Sequence, residues 1–526
     1  MRMAFFIDKK LNIVLIIIAL MYSYLRSQDL RWIYRYDGDP TPNYYSVIKY
    51  GYNSNVFASA NIIANGVQHI TVFNISTLGD SVWIYQNPER GIVHDLDCDP
   101  KNNVYIGGMV FRQGGGRDSV SVICVDSSGN ERWVYGRPMA DSFSWPDICG
   151  IVYGNDNNIY TATTRYIAYE PRGLLIRLDT LGNERWRYTY PETSEMMSVI
   201  YGFDNNILVG GRYNEDFAVF SFHTDSVFRW VYHNLGEGIA STLIEGVDSN
   251  IYAIGYGWRS GYVYEDLVVV SLDTAGNERW NYRYSAAFDL PDRALSITQG
   301  TDGILYIAGY CCLSGYNGEM VVISLDTFGN ERWIYHLNRG SSPIKIVYGL
   351  DDKLYIAGNW YDNITYDDVF LICLDTLGNE MWRYHYDDAG DELGQSMTSG
   401  DDNNLYVSGY ECVSGAWDDF FVLSVNIPLA IEEDPNRKSR DLLDISLNSI
   451  QKINLDFTIR HNKASHLFFY IYDLLGRKLV EWQEFVPKGN HSYQKSLSDF
   501  TNGVYFFCIR DSESNIINQK KIVFIK

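Results

Sequence analysis

Ser271–Trp280 reads SLDTAGNERW, and Ser324–Trp333 reads SLDTFGNERW. Trp32, Trp83, Trp133, Trp186, Trp230, Trp280, Trp333 and Trp382 lie 51, 50, 53, 44, 50, 53 and 49 residues apart, and most of them close some version of this phrase. A repeat of this length is one supersecondary unit that cannot bury its apolar face alone, so the array has to be read as a single body.

Outward from the second copy, the apolar residues between Asp292 and Tyr335 come in short runs broken by Gly, Asp and Asn. That pattern favours strands over helix. Ala294–Gln299 predicts a first strand, Gly300–Gly303 a turn, and Ile304–Tyr310 a second strand. The variable stretch Cys311–Gly318 leads to a third strand, Glu319–Leu325, and Asp326–Asn330 turns the chain into a fourth, Glu331–Tyr335. The Gly-Asn of that turn is expected to supply left-handed backbone. Alternation puts Trp280, Tyr282 and Tyr284 on one face, and likewise Trp382, Tyr384 and Tyr386. The eight tryptophans are therefore expected to pack between units, which explains their recurrence without a ligand.

Four-stranded meanders repeated in this way are blades of a β-propeller, which hides its sheet edges around an axis. The sets of first to third strands begin near Tyr44, Val93, Asp147, Met196, Ala240, Ala294, Pro343 and Leu393. No tryptophan strand follows the last set, whereas Leu30–Tyr36 is a tryptophan strand with no set before it. The expected fold is all-β: an eight-bladed β-propeller closed by an N-terminal strand, over residues 29–428, then a linker over 429–443 and a small C-terminal β-sandwich over 444–526. Seven blades, with one set left unpaired, is the alternative.

Arg2, Lys9 and Lys10 precede the apolar run Leu11–Tyr22, which is too short to span a bilayer as a helix. Residues 1–28 therefore read as a cleavable export signal, and no transmembrane span is expected in the mature chain. A net charge of -22 over 526 residues disfavours nucleic acid and anionic membrane as partners. Eight cysteines are few for a disulfide-built fold. Cys124 and Cys373 share a repeat position (SVICVD, FLICLD), which suggests core packing, and the adjacent Cys311 and Cys312 read as small buried residues.

These residues carry three resemblances. The Asp, turn Gly and Trp of the third and fourth strands are similar to the tryptophan-docking repeat of quinoprotein-type propellers, although the Asp273-to-Trp280 turn is one residue shorter. Some quinoprotein propellers carry a vicinal disulfide, the one functional reading open to Cys311 and Cys312. The whole unit more closely resembles the bacterial SBBP-type propeller repeat, whose later half is matched by Glu265–Trp280, Glu319–Trp333, Asp367–Trp382 and Asp418–Ser424. That resemblance implies a fold and no activity. At the C-terminus YIYDLLGRKL, then GVYF at Gly503–Phe506, then KKIVFIK at Lys520–Lys526 resemble the sorting domain of type IX secretion substrates. Export through that machinery, to the cell surface or the medium, is what this resemblance implies.

Catalytic and metal motifs do not stand out. Gly114, Gly115 and Gly116 lie in a loop with no helix after them to cradle a phosphate. His233, His336 and His385 each follow a tryptophan by three residues, so they are distributed round the ring and are not expected to share a metal. The turns Asp156-Asn157-Asn158, Asp204-Asn205-Asn206 and Asp402-Asn403-Asn404 offer too few oxygens in one place for calcium. No cofactor and no metal are expected.

Two columns of the first strands are informative when aligned on their turns. Ile48, Leu96, Ile151, Val199, Leu243, Ile297, Ile346 and Met397 are all apolar and should pack between blades. One position earlier stand Val47, Asp95, Gly150, Ser198, Thr242, Ser296, Lys345 and Ser396. From this second column Asp95, Ser198, Thr242, Ser296, Lys345 and Ser396 are the candidate lining of an axial channel. The expected function is that of an exported binding module for an extracellular protein or glycan, with the secretion machinery as a second partner. A propeller enzyme with an axial site, quinoprotein-like or glycan-active, is the alternative.

Overall fold

The computed structural model describes residues 30–37, 39–40, 45–111, 119–138, 147–167, 170–259, 264–286, 290–312, 318–337, 340–361, 368–386, 391–412 and 419–427 of the repeat array. Beyond the array the described residues are 443–451, 454–461, 465–473, 478–487, 489–496, 503–510 and 516–524. The chain divides into two compact bodies at residue 429. The expected export signal at 1–28, the expected linker up to residue 442, the three consecutive glycines and the stretch 313–317 after the cysteine pair lie outside the described residues.

Every described element is a β-strand. In the unit that carries SLDTFGNERW the strands are Arg293–Gln299, Leu305–Cys311, Glu319–Leu325 and Glu331–Leu337, paired antiparallel in that order. The turn before its tryptophan is built by Asp326. Asp326 Oδ1 accepts the backbone N–H groups of Phe328 and Asn330, each at 2.9 Å, and Oδ2 accepts Asn330 Nδ2 at 2.9 Å. Burial alone would raise this carboxyl, but the three converging donors outweigh it and hold the group below the ordinary carboxylate range. Gly329 alone is left-handed, at φ 83°, and the ladder slips by one residue between Ser324 and Leu325. The Gly-Asn expectation is corrected here: Asn330 contributes its side chain to the turn rather than a positive φ.

Among the described residues, six sheets of the first body have four strands, and one has eight. The larger sheet arises because Ser81–Cys98 runs unbroken for 18 residues, its first half paired with Val67–Ser76 and its second half with Val104–Phe111. Between Tyr85 and Arg90 there is no glycine to turn the chain, and Pro88 favours extended backbone. One strand thus serves as the fourth of one unit and the first of the next. At the ends of the array Leu30–Asp37 pairs antiparallel with Asp419–Asn426, with Ile33 opposite Leu423, in a sheet ordered with Asn404–Cys412 and Asp391–Ser399.

The core lies between units. Tyr252, Ile254, Leu267 and Val269 pack in one cluster with Ala294, Ile297, Ile307 and Ile323 of the following unit. Ile48, Val56, Ala58 and Phe73 of the first set share another with Tyr406, Tyr410, Phe420 and Val422 of the last. First strands of successive units lie side by side throughout, and Ser46–Tyr50 also lies beside Asp391–Ser399. This is a propeller-like arrangement. The largest buried side chains recur at one repeat position, Tyr105, Tyr160, Tyr252, Tyr355 and Tyr406, and each donates its hydroxyl to an aspartate of the turn four to six residues earlier.

The C-terminal body has a three-stranded sheet, Leu443–Gln451, Asn454–His461 and Gly489–Ser496, and a four-stranded one ordered Lys478–Val486, Ser465–Asp473, Gly503–Arg510 and Ile516–Phe524. Phe469 stacks on Trp482 at 5.0 Å, and its ring lies 6.4 Å from Tyr493 of the other sheet.

Candidate functional site

The tryptophans come first because they position everything nearer the first strands. The indole N–H of Trp280 donates to the carbonyl of Thr327, in the next unit's turn, at 3.0 Å. The same bond joins Trp32 to Thr77, Trp83 to Ser127, Trp133 to Thr180, Trp186 to Thr224, Trp230 to Thr274 and Trp333 to Thr376. The turn glycine lies on the indole face: a Cβ added at Gly329 would come within 2.6 Å of Trp280, and one at Gly378 within 2.7 Å of Trp333. Two residues after the tryptophan, Tyr282 and Tyr335 donate their hydroxyls to the glutamates of the next NER or NEM triplet, Glu331 and Glu380. Trp382 breaks the series, since its buried Nε1 has no hydrogen-bond partner. At the position where Thr327 stands in its own unit, the last set has Ile427, and the Ile427 carbonyl is taken by Asn403 Nδ2 at 3.3 Å.

In the first strands, the whole apolar column from Ile48 to Met397 is buried. The neighbouring polar column sits at a β-bulge. The ladder slips between Val93 and Asp95, Met196 and Ser198, Ala240 and Thr242, Ala294 and Ser296, Pro343 and Lys345, and Gly394 and Ser396. An inserted residue re-aims the side chains after it. Each first strand is also a sheet edge, with backbone N–H groups that no strand pairs. Asp95 Oδ2 accepts the N–H of Ile151 in the next unit at 2.9 Å, and Ser296 Oγ accepts the N–H of Ile346 in its next unit at 3.2 Å. At Asp95 and Ser296 the polar column thus ties one edge strand to the next, whereas the buried Ser198 Oγ has no hydrogen-bond partner.

Charge gathers at this level. Asp97, two residues beyond Asp95 and so on the same strand face, accepts the Tyr153 N–H at 2.8 Å through Oδ2 and pairs through Oδ1 with Lys49 Nζ at 2.9 Å. Burial pushes the Asp95 carboxyl up to about 6, against the pull of the Ile151 and Leu96 N–H groups and of Lys49. Burial by itself would lower the Lys49 ammonium, but Asp97 beside it outweighs that and raises it. Burial lowers Lys345, with Asp95 drawing it back up and Lys49 pressing it further down. Lys345 and Lys49 are nevertheless exposed. Lys345 and Asp95 stand 250 residues and five repeats apart, at the same position of their first strands.

Lys49 and Asp97 were not among the sequence-predicted residues. Strand alternation two positions along from the polar column was the signal that would have found them.

The other candidates do not converge. His233 Nδ1 lies 3.7 Å from Asp216, His336 Nδ1 lies 3.9 Å from Cys311 Sγ, and His385 Nε2 lies 2.7 Å from Asp368. Cys311 and Cys312 are free, buried thiols, and burial pushes Cys311 up to about 12. Among the described residues no three His, Cys, Asp or Glu side chains are grouped as a metal would need. The Asp156 and Asp402 carboxylates are occupied by Tyr160 and Tyr406.

Residues 449–526 match the family described as the secretion system C-terminal sorting domain. These residues are the type IX sorting signal, which directs the protein to the cell surface or the extracellular space and engages the secretion machinery. No curated protein matches the chain in sequence. Among solved structures it is similar to Sqt1 of Chaetomium thermophilum, at 12% identity and TM-score 0.49, over 76% of this chain and 98% of that one. It is also similar to the polysaccharide lyase Uly1, at 12% identity and TM-score 0.40, over 75% and 92% of the two chains. A third likeness is to the β-propeller domain of the Trilobed protease of Pyrococcus furiosus, at 12% identity and TM-score 0.38, over 66% and 98%. Identities this low say nothing about activity. No helix among the described residues is long and apolar enough to cross a membrane.

Proposed function

We propose that the array is an eight-bladed propeller sealed by its N-terminal strand, and that the exported protein is a binding module for an extracellular protein or glycan received at the mouth of its axial lumen. The observation that carries this reading is the meeting of the two ends of the array: Leu30–Asp37 pairs with Asp419–Asn426, and the first and last sets share one core. Ser46–Tyr50 lying beside Asp391–Ser399 supports closure as well. Residues 1–28 would be removed on export, residues 429–443 would link the ring to the tail, and the two sheets of residues 444–526 would form a small sandwich.

The test is a glycan and secreted-protein array probed with the mature protein. Binding without turnover, lost in Asp95→Asn/Lys345→Met, supports the reading. Release of product from a bound glycan would favour an enzyme instead. Deleting residues 444–526 should leave the protein unexported, and normal appearance of the truncated chain at the surface would contradict the sorting role.

A further inference from the structure

We propose that the turn end of the array is a second interaction surface, one that takes a cationic polypeptide carrying apolar side chains. In a meander of four antiparallel strands the first-to-second and third-to-fourth turns close the same end of the sheet, and here neighbouring units bring those ends together. The Tyr52 N–H in the first unit's turn donates to Asn102 Oδ1 in the second unit's turn at 2.9 Å, and the Tyr50 hydroxyl donates to Asp401 in the last unit's turn at 2.5 Å. The Val247 N–H donates to Gln299 Oε1, at the end of the following first strand, at 2.7 Å. The exposed apolar side chains are concentrated at this end. In third-to-fourth turns Leu78, Leu181, Phe328 and Leu377 are 64 to 73% exposed. In first-to-second turns Tyr52, Phe203, Val247 and Leu350 are 65 to 73% exposed, and no other large apolar side chain among the described residues exceeds 55%.

Isolated exposed hydrophobics are ordinary on a soluble protein, whereas their collection on one surface marks an interaction site. The turns do not need them for their own fold, since the same positions hold Ser128, Ala275 and Thr301 in other units. Charge selects the occupant. Every third-to-fourth turn holds or follows an aspartate, as does every first-to-second turn but the first, whereas Lys101 is the only basic residue in these turns. Basic side chains of the flanking strands reach Asp156, Asp179, Asp204, Asp248, Asp351 and Asp402, at 2.8 to 3.9 Å. Asp273, Asp302, Asp326 and Asp375 have no ion pair among the described residues, and the end is left net negative. Like charge opposes a second copy of the chain or an anionic lipid surface there, whereas Lys or Arg set around apolar side chains answers both features.

The test is fluorescence anisotropy of the mature protein with three synthetic peptides of about five helical turns, built from Leu and Lys, Leu and Glu, or Ser and Lys. The Leu/Lys peptide should bind, the other two at least roughly tenfold more weakly, and raising NaCl from about 0.05 to about 0.5 M should weaken its binding. The combined Leu181→Ser, Phe203→Ser, Phe328→Ser and Leu350→Ser variant should lose about tenfold or more in affinity with its melting unchanged. Val67→Ser/Tyr361→Ser, at the opposite strand ends, should bind as the parent does. In the parent, carbodiimide should link peptide lysines to turn aspartates such as Asp302 and Asp375. Parent-like affinity in the four-serine variant, equal binding of the Leu/Glu peptide, or links confined to other carboxylates overturns the inference. So do dimers of the parent that the four-serine variant dissolves, which assign the surface to a second copy, and flotation of the parent with phosphatidylglycerol vesicles, which assigns it to a membrane. Asp95→Asn/Lys345→Met should bind the Leu/Lys peptide like the parent, so failure here and failure of the array test are separate results.

Discussion

At the scale of single residues the tryptophans fall into two kinds that sequence cannot separate. Seven donate an indole N–H to the next turn, and Trp382 does not. Replacing Trp280 by Phe leaves the Thr327 carbonyl without its donor, at about 1–3 kcal/mol beyond the lost packing. Trp382→Phe loses packing only. Urea unfolding of the two variants should therefore show the larger loss for Trp280→Phe, and equal losses would argue against the docking bond as a stabilising contact. The turn glycines behave similarly. Gly329→Ala must accept φ 83° and a Cβ at 2.6 Å from Trp280, whereas Gly66→Ala, at φ 75°, meets nothing within 4 Å. The second change should cost roughly 1 kcal/mol of backbone strain and the first clearly more, as read from their unfolding midpoints.

At the scale of the element the first strand packs with its apolar column, and at Asp95 and Ser296 its polar column also fastens the next edge. Asp95 makes this pH-dependent. Its folded pKa of about 6 lies above its ordinary 3.8, so ionisation opposes folding: the favourable balance present below pH 3.8 is lost as pH rises through 6. Asp95→Asn keeps an acceptor for Ile151 and removes the ionisation. Its stability relative to the parent should improve by on the order of 2 kcal/mol between pH 4 and pH 8. A pH-independent difference in melting would show that Asp95 is not the buried acid described.

The strand count, the turns and the polar column were legible because each rests on a repeating residue type at fixed spacing. The bulge was not. The inserted position is His94, Met197, Ser241, Leu295, Ile344 or Gln395 in different units, since what defines it is the ladder and not a side chain. Lys49 escaped for another reason. It sits in the one first strand whose ladder from Ser46 to Tyr50 shows no slip, two residues past the column in which charge was sought.

At the scale of the whole molecule the two ends of the array are where regularity fails. The last set lacks its own tryptophan strand, so Leu30–Asp37 supplies it, and Trp32 then docks on the Thr77 turn of the first unit. In that last set the Ile427 carbonyl is taken by Asn403 Nδ2, and the Trp382 indole N–H has no acceptor. The unpartnered indole and the borrowed strand both lie where the two ends of the array meet. If that borrowed strand seals the ring, its amides open only when the ring does. Hydrogen exchange on the mature protein measures this directly. Closure requires that amides of residues 30–37 bonded to residues 419–425 exchange as slowly as those between Leu305–Cys311 and Glu319–Leu325; exchange at free-chain rates in residues 30–37, with the rest protected, would contradict it.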